Sequence, residues 1–590
     1  MASPPDPSSP AHTTIMRYAI DPRFRAIPGT SSPLELRAMV QNPFAFFEER
    51  YLKHGPIFRS SLVYPVVWMM GAEANRTIMV SGRENFSYAG GYGQLAFGKL
   101  FQQNILLLDG EEHLRTRTLL EPAVNRLGLG EVIDQVQSIW DSAADKLERR
   151  PHGDVYDIAQ RATFEASAMA LTGLKDGSEL DAMRPHFEAM IVGAMAHTKL
   201  RYPNGILDRG LKSRDVLVDM LRPHIERARR DPEPKGFLGR LAQDKDEHGR
   251  YLPIEDVIHH TMLLFWAGYD TTASAGSWVL HLLAHHPEWQ DRIRENVWDA
   301  LGDEPYQLKG SAKLTTLSWF LREVERCGPS LTMFPRTAVR DFEFGGYTVP
   351  AGTPVFWSPW MSQRCPEAFP HPHAFDPGRW DPARGEDQAK GKYMVGFGGG
   401  PRLCLGRNFA QMQLRILITT LLRRFHIEPD ATRPFTIQGL PTHHPVDSFV
   451  HFRPLLAYQE RGGRARAALA PTRRRERRSQ PRARAWRSRG RGALLACPDD
   501  HWPSALCTHP PRAVLHGAVR VLRVGALGLR WLALAAGSVA GPRPRRGLAA
   551  AARRRGRDRG RCRRGARRAV HGAGGRSARA VHERAVHQRA

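Results

Sequence analysis

The ten residues FGGGPRLCLG, at positions 397–406, decide how the rest of the chain reads. Cys404 sits there among glycines, a proline and an arginine, directly before a run with helical periodicity. Glycine lets a backbone adopt positive φ and come close to a flat partner. Amides at a helix N-terminus favour a thiolate over a thiol. A thiolate in that setting is a nucleophile or a metal ligand. A lone cysteine at a loop–helix junction is more often merely buried, so the motif is judged by the company it keeps.

The chain has 590 residues and a formal charge of +27, a balance that by itself suggests a nucleic-acid binder. The charge is concentrated, however. Residues 461–590 hold 34 Arg, no Lys and five acidic residues, a net of +29, which leaves the first 460 residues at −2. A near-neutral body of that length buries a large core. Of six cysteines only Cys327, Cys365 and Cys404 lie in the body, none in a CxxC pair. That argues for a reducing compartment and against a disulfide framework. The opening MASPPDPSSPAHTT has no apolar run, so a cytoplasmic protein without a membrane span is expected.

Residues 1–30 read as a flexible leader and 31–460 as the folded body. PIFRSSLVYPVVWMMG, 56–71, reads as a hairpin. From 131 to 230 the chain is mostly amphipathic helix, with breaks expected near Gly173, Gly205 and Pro223. The clearest helix runs from Ile254 to about His286, opened by Pro253 and stopped by Pro287. Leu314, Leu317, Leu321 and Val324 mark another, ending at Gly328. FEFGGYTVPAGTPVFW, 342–357, reads as strand–turn–strand, and 359–382 as an irregular loop longer than most connections. A helix resumes beyond Cys404 through Phe409, Met412, Leu414, Ile416 and Leu421. The fold class is mainly α with small β-sheets.

In this company FGGGPRLCLG resembles the heme-binding signature of the cytochrome P450 family. The likeness extends backward in the family's order. FDPGRW (375–380) is similar to its meander, and REVER (322–326) supplies Glu323 and Arg326 at ExxR spacing. AGYDTT (267–272) lies mid-way along the long helix, and DGEEHLRTR (109–117) supplies His113 and Arg117. Several motifs in one order are far more specific than any one alone. The resemblance covers about residues 30–458 and implies the cytochrome P450 fold with heme b, iron protoporphyrin IX, as cofactor.

It further implies Cys404 as the axial thiolate of the heme iron, a ligand that pushes electron density toward O–O cleavage. Phe397 would pack beside it, with Gly406 and Ala267 also at the heme; Ala267 and Gly268 would open a groove in the long helix. His113, Arg117, Arg336 and Arg402 take positions that meet heme propionates, where an arginine fork suits a carboxylate. Glu323, Arg326 and Arg379 take the positions of a buried structural network. As residues alone, Glu323 and Arg326 would equally make a surface pair of little worth. Asp270 and Thr271 take the acid–alcohol positions that deliver protons to bound O₂; alone they read as a buried polar pair bending a helix. Phe265, Trp266, Met333 and Phe334 fall where substrate contacts lie, or are plain core.

The activity so implied is that of a heme-thiolate monooxygenase: O₂- and electron-dependent hydroxylation or epoxidation of a hydrophobic small molecule (terpenoid, fatty acid or polyketide-like), as in secondary metabolism. No GxGxxG or flavin segment follows the heme motif, so a separate ferredoxin or flavodoxin and its reductase would supply electrons. A monomer is expected. Residues 461–590 lack Lys, Ile, Phe, Tyr, Asn and Met and keep no period. They read as a disordered tail or as frameshifted or read-through translation of GC-rich sequence. A basic arm on nucleic acid is the alternative.

Overall fold

The computed structural model describes residues 17–455 except 33, 63, 94–96, 103, 125, 174–176, 195–200, 234–235, 246–248, 387–391 and 441. The Arg-rich tail and the first sixteen residues of the leader lie outside the described residues.

Helices of eight residues or more are α1 (Leu34–Gln41), α2 (Pro43–His54), α3 (Gly110–Val124), α4 (Arg126–Arg149), α5 (Val155–Thr172), α6 (Gly177–Ala194), α7 (Ile206–Ala228), α8 (Gly236–Gln243), α9 (Ile254–His285), α10 (Pro287–Leu301), α11 (Thr315–Cys327) and α12 (Arg407–Arg424). The strands are short: β1 (Ile57–Ser61), β2 (Pro65–Met69), β3 (Phe86–Ser87), β4 (His152–Asp154), β5 (Phe334–Ala338), β6 (Phe342–Phe344), β7 (Tyr347–Val349), β8 (Pro354–Trp357), β9 (Phe425–Pro429), β10 (Thr436–Gln438), β11 (His444–Val446) and β12 (Phe449–Pro454). They build a five-stranded sheet ordered β1-β2-β8-β5-β3, a three-stranded sheet β4-β12-β9, and the pairs β6-β7 and β10-β11. Among the described residues no helix is long and apolar enough to cross a membrane.

The hairpin read at 56–71 is β1-β2, with Ile57 opposite Met69. The 342–357 stretch divides. Gly345 and Gly346, at φ 58° and 81°, make the tight turn between β6 and β7. β8 then leaves to run parallel to β2 and antiparallel to β5.

α9 is the spine. Its 32 residues reach about 48 Å. Phe265 and Tyr269 pack edge-on against Phe164 of α5, with ring centroids 5.0 and 5.3 Å away. At Gly276 a side chain would begin 3.2 Å from Ala159 of α5 and 3.4 Å from Leu417 of α12, so the glycine lets three helices meet. Trp140, Trp278, Leu283, Leu417 and Leu421 are buried around that meeting, each contributing about 1.5–3 kcal/mol of hydrophobic stabilisation for a Leu-sized side chain.

Two expectations about the backbone are corrected. The leader is anchored from residue 17: Tyr18 and Phe24 are buried, the Tyr18 hydroxyl donates to Pro65 O at 2.6 Å, and Gly29 bridges to Arg59. Pro223 does not break a helix but lies inside α7. An interior proline costs about 3 kcal/mol, and the buried stripe Leu217, Leu221 and Ile225 on either side of it outweighs that cost.

Candidate active site

The loop before α12 is shaped by two glycines in the left-handed region, Gly398 (φ 72°) and Gly400 (φ 57°). A side chain at Gly400 would begin 2.2 Å from the Met79 carbonyl oxygen. The loop closes on itself where Cys404 N donates to Phe397 O at 2.9 Å. Cys404 is thereby held at the entry to α12 with its side chain exposed. Surrounding protein still pushes its thiol pKa up; the N–H groups of Gly406 and Arg407 and the charges of Arg117 and Arg407 pull it down. The helix-end amides act in the direction read from the sequence but do not offset the desolvation by the protein packed around the loop. A coordinating metal deprotonates a thiol outright. Among the described residues nothing lies within 4 Å of where a side chain at Gly406 would begin.

Beside this loop is a cluster rich in guanidinium groups. Arg402 donates to Ile105 O at 3.1 Å, to Leu108 O, and to Asp109 Oδ1 at 3.1 Å. Burial lowers its pKa to about 10. Arg117 donates to Leu403 O at 2.7 Å, which ties α3 to the cysteine loop. Arg336 is 2% exposed. It donates to Pro335 O at 2.6 Å, and its Nε has no hydrogen-bond partner among the described residues. Tyr88 lies between two of these groups, 3.2 Å from the Arg336 guanidinium and 3.9 Å from that of Arg402. His113 is buried, and desolvation, then Arg402 and Arg117, lower its pKa to about 4. At neutral pH it is an uncharged donor. Asp109 is committed to Ser87 Oγ at 2.5 Å and Tyr88 N at 2.9 Å as well as to Arg402. Three arginines face two acids, Asp109 and, 3.9 Å from Arg117 Nε, Glu121; the remaining positive charge and the orphaned buried donor of Arg336 suit a ligand carrying carboxylates.

Mid-way along α9, Thr271 Oγ1 donates to Ala267 O at 2.6 Å. Asp270 is turned away from it. Its carboxyl is buried and accepts from Tyr156 OH of α5 at 3.0 Å, and burial raises its pKa to about 6. The Tyr156 ring stacks on His444 of β11, 3.8 Å between centroids. α9 continues as helix through Ala267 and Gly268. A side chain at Gly268 would make ordinary contacts with Ser167 and Leu171 of α5.

Glu323, Arg326 and Arg379 meet in one buried network. Arg326 grips Glu323 through Nε at 2.9 Å and Nη2 at 2.8 Å, and Arg379 Nε donates to it at 3.0 Å. Trp380 Nε1 and Asp376 N complete the set at 2.9 and 3.0 Å. Arg326 also reaches Pro372 O and Ala374 O at 2.6 and 2.7 Å. A loop that sequence reads as irregular is thus pinned to α11.

The four apolar candidates separate. Phe265 is core, 4.2 Å between ring centroids from Phe187 of α6. Trp266 points elsewhere on α9 and packs on Phe97 and Phe101 at 5.5 and 5.0 Å. Phe334 stacks on Trp357 at 4.6 Å, and Met333 packs partly buried in the cluster with Phe44 and Trp360. Their segment is joined to α9 where Ser330 Oγ donates to Thr271 O at 2.8 Å.

The family model of cytochrome P450 matches residues 25–445. The chain belongs to the cytochrome P450 family. This P450 is therefore a heme-thiolate monooxygenase, an enzyme that uses O₂, a redox partner and heme. It is 28% identical to cytochrome P450 136 of Mycobacterium tuberculosis over 407 residues, 66% of this chain and 82% of that one. It is 26% identical to beta-amyrin 28-monooxygenase of Saponaria officinalis, with 73% and 92% covered, and 25% identical to taxane 10-beta-hydroxylase of Taxus cuspidata, with 65% and 79% covered. Its fold matches the retinoic acid-bound cyanobacterial CYP120A1 with a TM-score of 0.67 at 24% identity, covering 73% of this chain and 98% of that one.

Two residues of this P450's site carry no signal in the sequence: Tyr88 is defined only by the two arginines that flank it and Tyr156 only by Asp270. Trp380 belongs to the meander motif, but its bond to Glu323 is shown only by the fold.

Proposed function

We propose that this P450 holds heme b through Cys404 and inserts one atom of O₂ into an isoprenoid. The observation that carries the proposal is an exposed thiol at the entry to α12 beside a cluster of three arginines, one of which, Arg336, is buried with an orphaned donor. A thiolate-ligated heme supplies, when bound, the activation of O₂ and oxygen insertion into a C–H or C=C bond. Arg117, Arg336, Arg402 and neutral His113 would hold its two carboxylates, and Arg336 Nε would gain the acceptor it lacks. Phe397, Ala267 and Gly406 would flank the ring. The Glu323–Arg326–Arg379 network orients the meander and acts by position, not by contact with substrate.

Asp270 and Thr271 move protons in this reading. A carboxyl with a pKa of about 6 is mostly ionised at neutral pH, close enough to take up a proton and pass it on. Tyr156 fixes one of its oxygens. The Thr271 hydroxyl, on leaving Ala267 O, becomes a donor on the open side of α9.

The substrate class rests on Trp266, Met333 and Phe334, which offer apolar surface, and on the relatives. Taxanes, β-amyrin and retinoic acid are all isoprenoid. A fatty acid or a polyketide-like molecule is the alternative. Electrons would arrive from a separate ferredoxin or flavodoxin with its reductase, docking near the Cys404 loop. The test is a panel of triterpenes, diterpenes, retinoids and fatty acids scored by the shift of the heme Soret band, then turnover with a surrogate ferredoxin and reductase. An isoprenoid that shifts the band and gains one oxygen atom supports the proposal. Thr271→Ala should then consume electrons while losing product to peroxide. Binding and oxidation of fatty acids alone would overturn the substrate class, and unchanged coupling in Thr271→Ala would overturn its role.

A further inference from the structure

The sheet β4-β12-β9 carries a second constellation that the monooxygenase reaction does not use. His152 on β4 and His451 on β12 are register partners. Val450, Phe452, Phe425 and Ile427 are buried beneath the sheet, so the two-residue period sends both imidazoles to its outer face. There the rings stack, 4.4 Å between centroids at 26°. Asp430, one residue past β9, turns Oδ2 toward both: 3.1 Å from His152 Nε2 and 4.0 Å from His451 Nε2. Its Oδ1 is held by Thr432 N at 3.0 Å and Thr432 Oγ1 at 2.5 Å, which fixes the carboxylate in this orientation. The three ligand atoms all lie within 4.8 Å of one another.

We propose that His152, Asp430 and His451 form a binding site for a late first-row divalent cation, Zn²⁺ foremost, with water completing the shell. Two imidazoles and one carboxylate suit zinc, cobalt or nickel, whereas magnesium and calcium select all-oxygen sets. Around a tetrahedral ion with bonds of about 2.1 Å, ligand atoms stand about 3.4 Å apart. The His152–Asp430 edge is already 3.1 Å. His451 has to close its edge from 4.0 Å, and at 47% exposure its side chain has room to turn. One cation competes: Arg433 Nε is 3.7 Å from the same Oδ2. Its guanidinium also rests on the Phe449 ring at 4.2 Å, a place it keeps when Oδ2 is taken. Glu428, the other cross-strand neighbour of His451, is engaged by Arg453 at 2.7 Å.

The site would clip a sensitive junction. β4 is three residues long and hands the chain directly to α5, whose second residue is Tyr156, the partner of Asp270. A metal bridging β4, β12 and the turn after β9 would tie that junction to the strands that follow α12.

The test uses the full heme-loaded chain, freed of metal with a chelator and titrated with Zn²⁺ by calorimetry and with Co²⁺ by visible absorption. The chain has 25 His and six Cys, so zinc bound elsewhere is expected and the reading is a difference between parent and variants. The parent should bind one equivalent that His451→Ala and His152→Gln bind at least about tenfold more weakly. Bound Co²⁺ should show d–d absorption without a thiolate charge-transfer band, lost in both variants. Without metal, all three proteins should melt together, since both histidines are surface groups; the parent's midpoint alone should climb with zinc. Arg433→Ala should tighten binding by removing the competing cation. Equal stoichiometry, equal affinity and equal zinc-dependent midpoints in parent and both histidine variants would overturn the proposal, as would an Arg433→Ala variant that binds zinc less tightly.

Discussion

Glutamine at position 323 removes one charge and almost no volume. Glu323 is fully buried and accepts five N–H donors, two from Arg326 and one each from Arg379, Trp380 and Asp376. In Glu323→Gln the buried Arg326 loses its counter-charge, Arg379 keeps Glu386 at 3.8 Å, and the new amide NH₂ points donors at donors. Removing one partner of a buried ion pair costs about 3–5 kcal/mol. Every 1.4 kcal/mol is a tenfold change, so the folded-to-unfolded ratio should fall by about two to three and a half orders of magnitude. That is a large share of the 5–15 kcal/mol that stabilises a typical fold, on the order of a fifth or more. The assay is urea denaturation followed by far-UV circular dichroism, with heme retention read from the Soret band in the same samples. The midpoint should drop well below the parent's, and heme should be lost at urea concentrations where helix remains, because the loop that follows α11 comes loose first. Arg222→Ala, which breaks the exposed pair with Glu255 at 3.0 Å, should leave the midpoint unchanged. A Glu323→Gln variant with the parent's midpoint and heme retention would refute the assignment of this network as a structural anchor.

Asp270→Asn should raise stability at pH 7–8. Burial holds the folded pKa at about 6, above 3.8, so this group stabilises the fold below pH 4 and that contribution is lost as pH rises through 6. The gain in the variant, on the order of 3 kcal/mol at pH 8 and vanishing toward pH 4, is read from urea midpoints across pH, and turnover should fall in the same variant. Arg336→Leu should fold yet release heme about 10- to 100-fold faster into apomyoglobin, the worth of a charge-assisted hydrogen bond or two. Gly400→Ala should lose about 2 kcal/mol or more, since its φ is positive and the Met79 carbonyl lies 2.2 Å from the added carbon. Gly406→Ala, with nothing within 4 Å among the described residues, should melt with the parent and incorporate less heme.

What the sequence makes legible follows from how local each signal is. α9 is plain because Pro253 and Pro287 bracket one long apolar pattern. The ExxR spacing places Glu323 and Arg326 on one helical face, but only the fold brings Arg379, Trp380 and Asp376 N onto the same carboxylate. The anchoring of Tyr18 depends on Pro65, and Tyr88 depends on arginines from β5 and the cysteine loop; no local pattern encodes either. Phe265 and Trp266 are adjacent apolar residues, so composition cannot choose which faces the core. Tertiary packing turns Phe265 toward Phe164 and Phe187. Pro223 shows the same priority, since burial of Leu217, Leu221 and Ile225 overrides a local helix breaker.

The absorption spectrum of the dithionite-reduced, CO-bound protein, parent beside Cys404→Ala, tests the central claim most directly. The account predicts a strongly red-shifted Soret band in the parent that is absent from the variant, the mark of an axial thiolate at Cys404. A parent without heme, or the same red-shifted band in both proteins, would contradict it.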